Sequence, residues 1–175
     1  MERYNGVSII PQEMWSEPDK VISTDSCLSG CGGYSYWTSE YFHTGFPEFI
    51  LKQGLDINCL ELLTVVVALK LWGPFLKGKR FKVLCDNQTS VYVLNSGRCR
   101  NYFLSACLRE IAYLCAVNET QLIALHIEGS QNRLSDLLSR SHYDPSLLQQ
   151  FLKSVDSDMS ERPVSVELFQ FTSDW

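Results

Sequence analysis

The chain has 175 residues, 45% of them hydrophobic, and a net charge of -5, enough for one compact domain with a real core plus short extensions. The acidic balance argues against a protein that grips nucleic acid alone through a broad basic surface. Seven cysteines, odd in number and without a CxxC pair, read as reduced thiols of an intracellular protein, cytoplasmic or nuclear. With only three histidines, a zinc site built on Cys27, Cys31 and a distant histidine is disfavoured. No signal peptide or membrane span is expected, and no membrane partner.

Residues 1–18, with Pro11, Trp15 and Pro18, lack periodicity and read as a connecting arm. From Lys20 the text predicts two strands, Val21 to about Cys27 and Tyr34 to about Thr38, with Gly30, Gly32 and Gly33 letting the chain turn between them. Asp25 falls late in the first strand. A third strand is expected within 41–50, interrupted by Gly45 and Pro47.

The segment Ile57 to Trp72, INCLELLTVVVALKLW, is about sixteen residues without Gly or Pro, too long for an ordinary strand. It predicts a helix. Its apolar residues run all round rather than along one stripe, so neighbours should cover most of it, while an apolar run of about eleven residues is too short for a bilayer. One acid, Glu61, sits near its start. Asn58 three residues earlier gives a capping-box spacing, an ordinary use for that acid.

Gly73-Pro74 ends this helix. Lys79 to Cys85 is a short strand that delivers Asp86 to its C-terminal edge, where Asp86 also suits a cap for a short helix over 87–94. Ser96 and Gly97 break the chain before an amphipathic helix, Asn101 to Val117. Gln121 to Ile127 is a fifth strand, and Gln131 to Arg140 another helix. It carries Asp136, with Arg133 and Arg140 at ion-pair spacing. Beyond it, Asp144-Pro145 opens a further short helix. DSDMSERP reads as a linker, and VSVELFQF as an edge strand or docking peptide.

This order predicts an α/β fold with a five-stranded mixed sheet, three antiparallel strands and then two parallel ones, flanked by helices. The expected boundaries are an arm at 1–18, the main domain at 19–141 and an extension at 142–175. In such a sheet Asp25 and Asp86 stand side by side, with Glu61 and Asp136 reaching them from helices. Four acids without cationic partners of their own repel one another, and divalent cations would neutralise them.

Four stretches, TDSCLSGCGGY, NCLELLTVVVALKLW, LCDNQTSVYVLN and HIEGSQNRLSDLLSR, resemble in order the motifs of ribonuclease H, in particular the ribonuclease H domains of Ty3/gypsy-like and DIRS-like retroelement polyproteins. The resemblance spans about residues 20–141. It implies endonucleolytic cleavage of the RNA strand of RNA:DNA hybrids by Asp25, Glu61, Asp86 and Asp136. These would hold two Mg²⁺ or Mn²⁺ ions roughly 4 Å apart, with oxygen ligands of the kind such ions prefer.

The same resemblance makes Asn58 and Gln88 contacts to the minor groove of the hybrid, although a helix cap and a solvated amide explain them as well. It departs from the family at Ser130, where a histidine often follows the glycine of the last motif, and His126 reads as structural rather than as a substitute. Only SGRCR stands where cellular members carry a basic protrusion helix, so an adjacent reverse transcriptase is the implied partner that grips the hybrid. Lys77, Lys79, Arg80, Lys82, Arg98, Arg100 and Arg109 are candidates for residual phosphate contacts. Two rival readings remain: a ribonuclease-H-like scaffold or binding module with weak catalysis, and a DNA-cutting transposase or integrase.

Overall fold

The computed structural model describes residues 20–155 and 158–172; the expected arm at 1–18 lies outside them. Strands β1 (Val21–Ser26), β2 (Gly30–Ser35) and β3 (Glu40–Gly45) form an antiparallel meander. After the single turn α1 (Glu48–Leu51) and the long helix α2 (Ile57–Trp72), β4 (Arg80–Cys85) returns parallel to β1. Helices α3 (Gln88–Ser96) and α4 (Tyr102–Val117) lead to β5 (Gln121–His126), parallel to β4. Then come α5 (Arg133–Arg140), α6 (Pro145–Ser154) and β6 (Ser160–Glu161). The sheet order is β5-β4-β1-β2-β3-β6.

Helix α2 is the centre of the core. Asp56, not Asn58, caps it by accepting from the Cys59 amide at 3.0 Å, so the predicted capping box does not form. Every residue from Cys59 to Leu69 is buried, which is why its sequence shows no polar face: the sheet lies on one side, and α4 with the C-terminal segment on the other. A short 3-10 turn at Gly73–Leu76 continues the helical run. Together, Ile57–Leu76 is long and apolar enough to cross a membrane by length and composition, more than the eleven-residue run suggests, but 83% of its most apolar window is buried inside the domain. It is a core helix.

Three expectations need correction. The second strand begins at Gly30 rather than Tyr34, so Gly30, Gly32 and Gly33 are strand residues and not the turn. The missing side chains of Gly30 and Gly32 make room for residues 138–142: a Cβ on Gly32 would stand 2.5 Å from Leu138 Cβ and 2.7 Å from the Leu138 carbonyl carbon, and one on Gly30 would meet the His142 ring at 2.3 Å. Helix α5 therefore lies directly on the backbone of β2. The C-terminal half of the expected third strand becomes α1, because Pro47 ends the ladder and opens the turn.

The tail is the third correction. A sixth strand forms within the expected linker, where Ser160 and Glu161 pair with Glu40 and Tyr41, whereas VSVELFQF makes a 3-10 turn at Val166–Phe169. Phe169 is buried against Phe46, and Phe171 packs on Phe103. Below them Lys70 and the buried Glu110 form an ion pair at 2.9 Å. Thr172 adds donors to that carboxylate, its hydroxyl at 2.6 Å, and Lys70 also donates to the Gln170 carbonyl. On the opposite face of the sheet, Leu137, Leu138 and Phe151 form a smaller core with Tyr41.

Two outcomes follow in denaturant or thermal unfolding. Phe169→Ala should cost about 3 kcal/mol through the cavity it leaves. Gly32→Ala should cost about 1–3 kcal/mol, because the new methyl meets backbone atoms that cannot rotate away.

Candidate active site

The parallel register pairs Val21 with Lys82 and Ser23 with Leu84, so two residues further along Asp25 and Asp86 stand level at the same edge of the sheet. Glu61 joins them from the second turn of α2. Oxygens from Asp25, Glu61 and Asp86 all lie within 4.8 Å of one another. Helix capping claims neither Asp86 nor Glu61. Asn87 caps α3 by accepting from the Ser90 amide at 2.8 Å, and Glu61 takes no part in capping α2.

Burial sharpens the arrangement. Asp25 is 5% exposed and Glu61 3%. Asp25 Oδ2 accepts from the Ser139 hydroxyl at 2.6 Å, and Oδ1 from the Asn132 amide at 3.2 Å. Glu61 Oε1 accepts from the Ser26 amide at 3.1 Å, while Glu61 Oε2 is buried without a partner. Desolvation pushes the Asp25 carboxyl from 3.8 up to about 7; the Ser139 hydrogen bond opposes the rise, and the charges of Asp86 and Asp136 add to it. Desolvation, followed by the neighbouring Asp25, raises Glu61 well above the usual carboxylate range.

The fourth expected acid stands apart from this trio. Asp136 Oδ1 accepts from Arg140 Nε at 2.7 Å, one helical turn away, with both side chains partly exposed. The local ion pair is thus present. Asp136 remains near enough to raise Asp25 through its charge.

The rim is formed by the N-termini of α2 and α3. Asn87 Nδ2 donates to Asn58 Oδ1 at 2.9 Å, tying the two helices together, and Gln88 is exposed beside them. His126 donates from Nε2 to the Asp86 carbonyl at 3.1 Å, a backbone contact in keeping with a structural role. Arg98 and Arg100 are exposed in the five-residue link between α3 and α4. Lys79 and Arg80 lie at the start of β4, whereas Asp86 follows its end, about 20 Å away along the strand; as contacts to a phosphate at the acid cluster they are misplaced.

Sequence reasoning missed Asn132 and Ser139. Both are buried, and they belong to a polar seam in which Ser135 donates to Ser23 at 2.9 Å, Ser23 to Asn132 at 3.1 Å, and Asn132 to Asp25. Their i, i+3, i+7 spacing, Asn132, Ser135 and Ser139, was the available signal: one polar stripe on a helix that must face the sheet.

The donors suit a hard divalent cation. All three are carboxylates, Glu61 Oε2 is an orphaned buried acceptor, and the adjacent guanidinium of Arg140 is committed to Asp136. All seven cysteines are free thiols, and among the described residues no cysteine-histidine group has metal-binding geometry.

The raised Asp25 value fixes a direction for stability. A carboxyl that keeps its proton to about pH 7 when folded, but loses it near 3.8 when unfolded, contributes stability at low pH that is lost as pH rises through 7. The melting temperature of metal-free protein should therefore fall between pH 5 and pH 8, and the fall should be smaller in Asp25→Asn.

No family model matches the sequence, and no curated protein matches it. Solved structures do. An RNase H1 from the halophilic archaeon Halobacterium salinarum superposes with a TM-score of 0.54 at 14% identity, covering 72% of this chain and 98% of its own. LC11-RNase H1, isolated from compost by a metagenomic approach, superposes at 0.53 with 17% identity over 75% of this chain and 99% of its own. The same enzyme in complex with an RNA/DNA hybrid gives 0.53 at 16% identity, over 74% and 99%. With its mixed sheet, three antiparallel strands followed by parallel ones and helices on both faces, the chain has the ribonuclease H fold.

Proposed function

We propose that this chain hydrolyses the RNA strand of RNA:DNA hybrids in a metal-dependent reaction, as the ribonuclease H part of a retroelement reverse transcriptase or of a protein derived from one. The observation that carries the reading is the cluster of Asp25, Glu61 and Asp86, with oxygens within 4.8 Å of one another, at the end of a sheet with the ribonuclease H topology. The retroelement context rests on the SDLLSR form of the last motif. Support for the substrate comes from the similar LC11 enzyme, whose structure is a complex with an RNA/DNA hybrid.

Two Mg²⁺ or Mn²⁺ ions held there would polarise the scissile phosphate and supply an activated water. Asp25 and Asp86, level with each other across β1 and β4, would hold the ions together with Glu61, whose Oε2 has no other partner, and Asp136 would join them if released from Arg140. At the rim, Asn58 and Gln88 read the minor groove, where the 2′-hydroxyl distinguishes RNA from DNA. Asn58 uses its carbonyl oxygen on Asn87, which leaves its amide donors for substrate.

With a net charge of -5 and a five-residue link in place of a protrusion helix, the isolated domain grips a polyanion poorly. An adjacent reverse transcriptase supplies that grip.

Asp86→Asn should reduce cleavage of a labelled hybrid in Mg²⁺ or Mn²⁺ by at least about a hundredfold, since several kcal/mol of metal-derived stabilisation are withdrawn. Circular dichroism should show the fold retained, with single-stranded RNA and duplex DNA left uncut by the wild type. Mg²⁺ should raise the melting temperature of the wild type more than that of the variant. Equal cleavage by the two proteins would refute the assignment.

A further inference from the structure

Asp25 is the most constrained of the three clustered acids, and the constraint comes from the far side of the sheet. Both its oxygens are held from α5 and its N-cap, Oδ2 by Ser139 and Oδ1 by Asn132. Asn132 also donates to the Thr24 carbonyl at 3.2 Å and accepts from Ser23, so it is bound into the framework of β1. Ser139 is different. Its hydroxyl has one hydrogen and two acceptors in reach, the Asp25 carboxylate at 2.6 Å and the Asp136 carbonyl at 3.0 Å. The shorter contact, to the Asp25 carboxyl, is the stronger one once that group is ionised, as cation binding requires. The side chain is fully buried.

We infer that Ser139 is a positioning residue of the candidate metal site: its hydroxyl fixes the rotation of the Asp25 carboxylate so that the remaining lone pairs face Glu61 and Asp86. The inference rests on the reading of that cluster as a cation site and adds to it a residue from outside the cluster. Three features of the fold converge on this role. Gly32 has no side chain, so the Ser139 backbone amide comes within 2.8 Å of where its Cβ would be, and α5 reaches the sheet closely enough for a side chain as short as serine to touch Asp25. Ser135, one turn earlier, is held by Ser23, which fixes the azimuth of the helix. The Ser139 carbonyl accepts from His142 Nδ1 at 3.0 Å, and the Ser29 hydroxyl donates to Nε2 of the same ring at 3.0 Å, pinning the end of α5 to the β1–β2 turn. A hydrogen-bonding partner behind a metal ligand characteristically sets affinity through orientation, by about 10- to 100-fold.

The test compares wild type, Ser139→Ala and Ser139→Thr. Divalent binding is measured by isothermal titration with Mn²⁺ alone, and the fold by thermal melting and substrate binding by hybrid affinity, both in chelator. S139A should bind Mn²⁺ about 10- to 100-fold more weakly than wild type, with hybrid affinity unchanged, and S139T, which keeps the hydroxyl, should recover most of the loss. Where S139A fails to fold, Ser139→Cys, of similar volume and with a weak donor, takes its place and should show the same direction.

Equal Mn²⁺ affinity in wild type and S139A would overturn the role of Ser139 while leaving the acid cluster as a cation site. A wild type with no saturable Mn²⁺ binding would overturn both. Loss of affinity in S139A that S139T does not restore, in a folded S139T, would assign Ser139 to packing alone and sink the inference.

Discussion

Because β1 and β4 run parallel with Ser23 opposite Leu84, two acids far apart in the chain, Asp25 and Asp86, leave the sheet at the same edge, level with each other. Glu61 is then brought in by α2, whose axis is fixed by being buried on every side. The result is a concentration of negative charge that the fold alone does not neutralise. Asp25 and Glu61 are both driven toward their protonated forms, first by desolvation and then by neighbouring acids, Asp86 and Asp136 for Asp25, and Asp25 and Asp86 for Glu61. A structure that keeps such a cluster loses stability near neutral pH unless a cation occupies it, and this links folding energetics directly to the proposed chemistry.

The opposite face of the sheet supplies the precision. The glycines of β2 let α5 descend onto the backbone, and the seam of Ser23, Asn132, Ser135 and Ser139 then replaces what would otherwise be an apolar contact. A buried polar seam is costly unless every member is satisfied. Here nearly every donor finds an acceptor, and the chain of donors ends on the Asp25 carboxylate. Further out, the C-terminal segment closes the other layer, with Phe169 and Phe171 over α2 and α4 and Thr172 on the buried Glu110 carboxylate. Layers on both faces of one sheet thus brace a single edge.

Much of this was legible in the sequence, and the reasons differ from element to element. The bounds of α2 could be read because a long apolar run with a Gly-Pro stop leaves few other solutions. Asp25 and Asp86 could be paired because parallel strands of similar length place their ends together. What escaped was set by distant neighbours. Gly30, Gly32 and Gly33 look like a turn in isolation; the approach of residues 138–142, about a hundred residues later, accounts for Gly30 and Gly32 as strand residues. The capping roles fell to Asp56 and Asn87 rather than to Asn58 and Asp86, a one- or two-residue distinction that local propensity does not resolve. Serine at position 139 has the same letter on a solvated helix face as in a buried seam. VSVELFQF alternates like a strand, yet its apolar residues meet the core without a ladder partner, so it folds as a 3-10 turn.

The central claim, that Asp25, Glu61 and Asp86 together bind divalent cations, is tested most directly by crystals of the full chain soaked in Mn²⁺ and recorded near the manganese absorption edge. The expected result is an anomalous peak within coordination distance of oxygens from all three carboxylates. An ordered acid cluster with no peak between those side chains at saturating Mn²⁺ would contradict it.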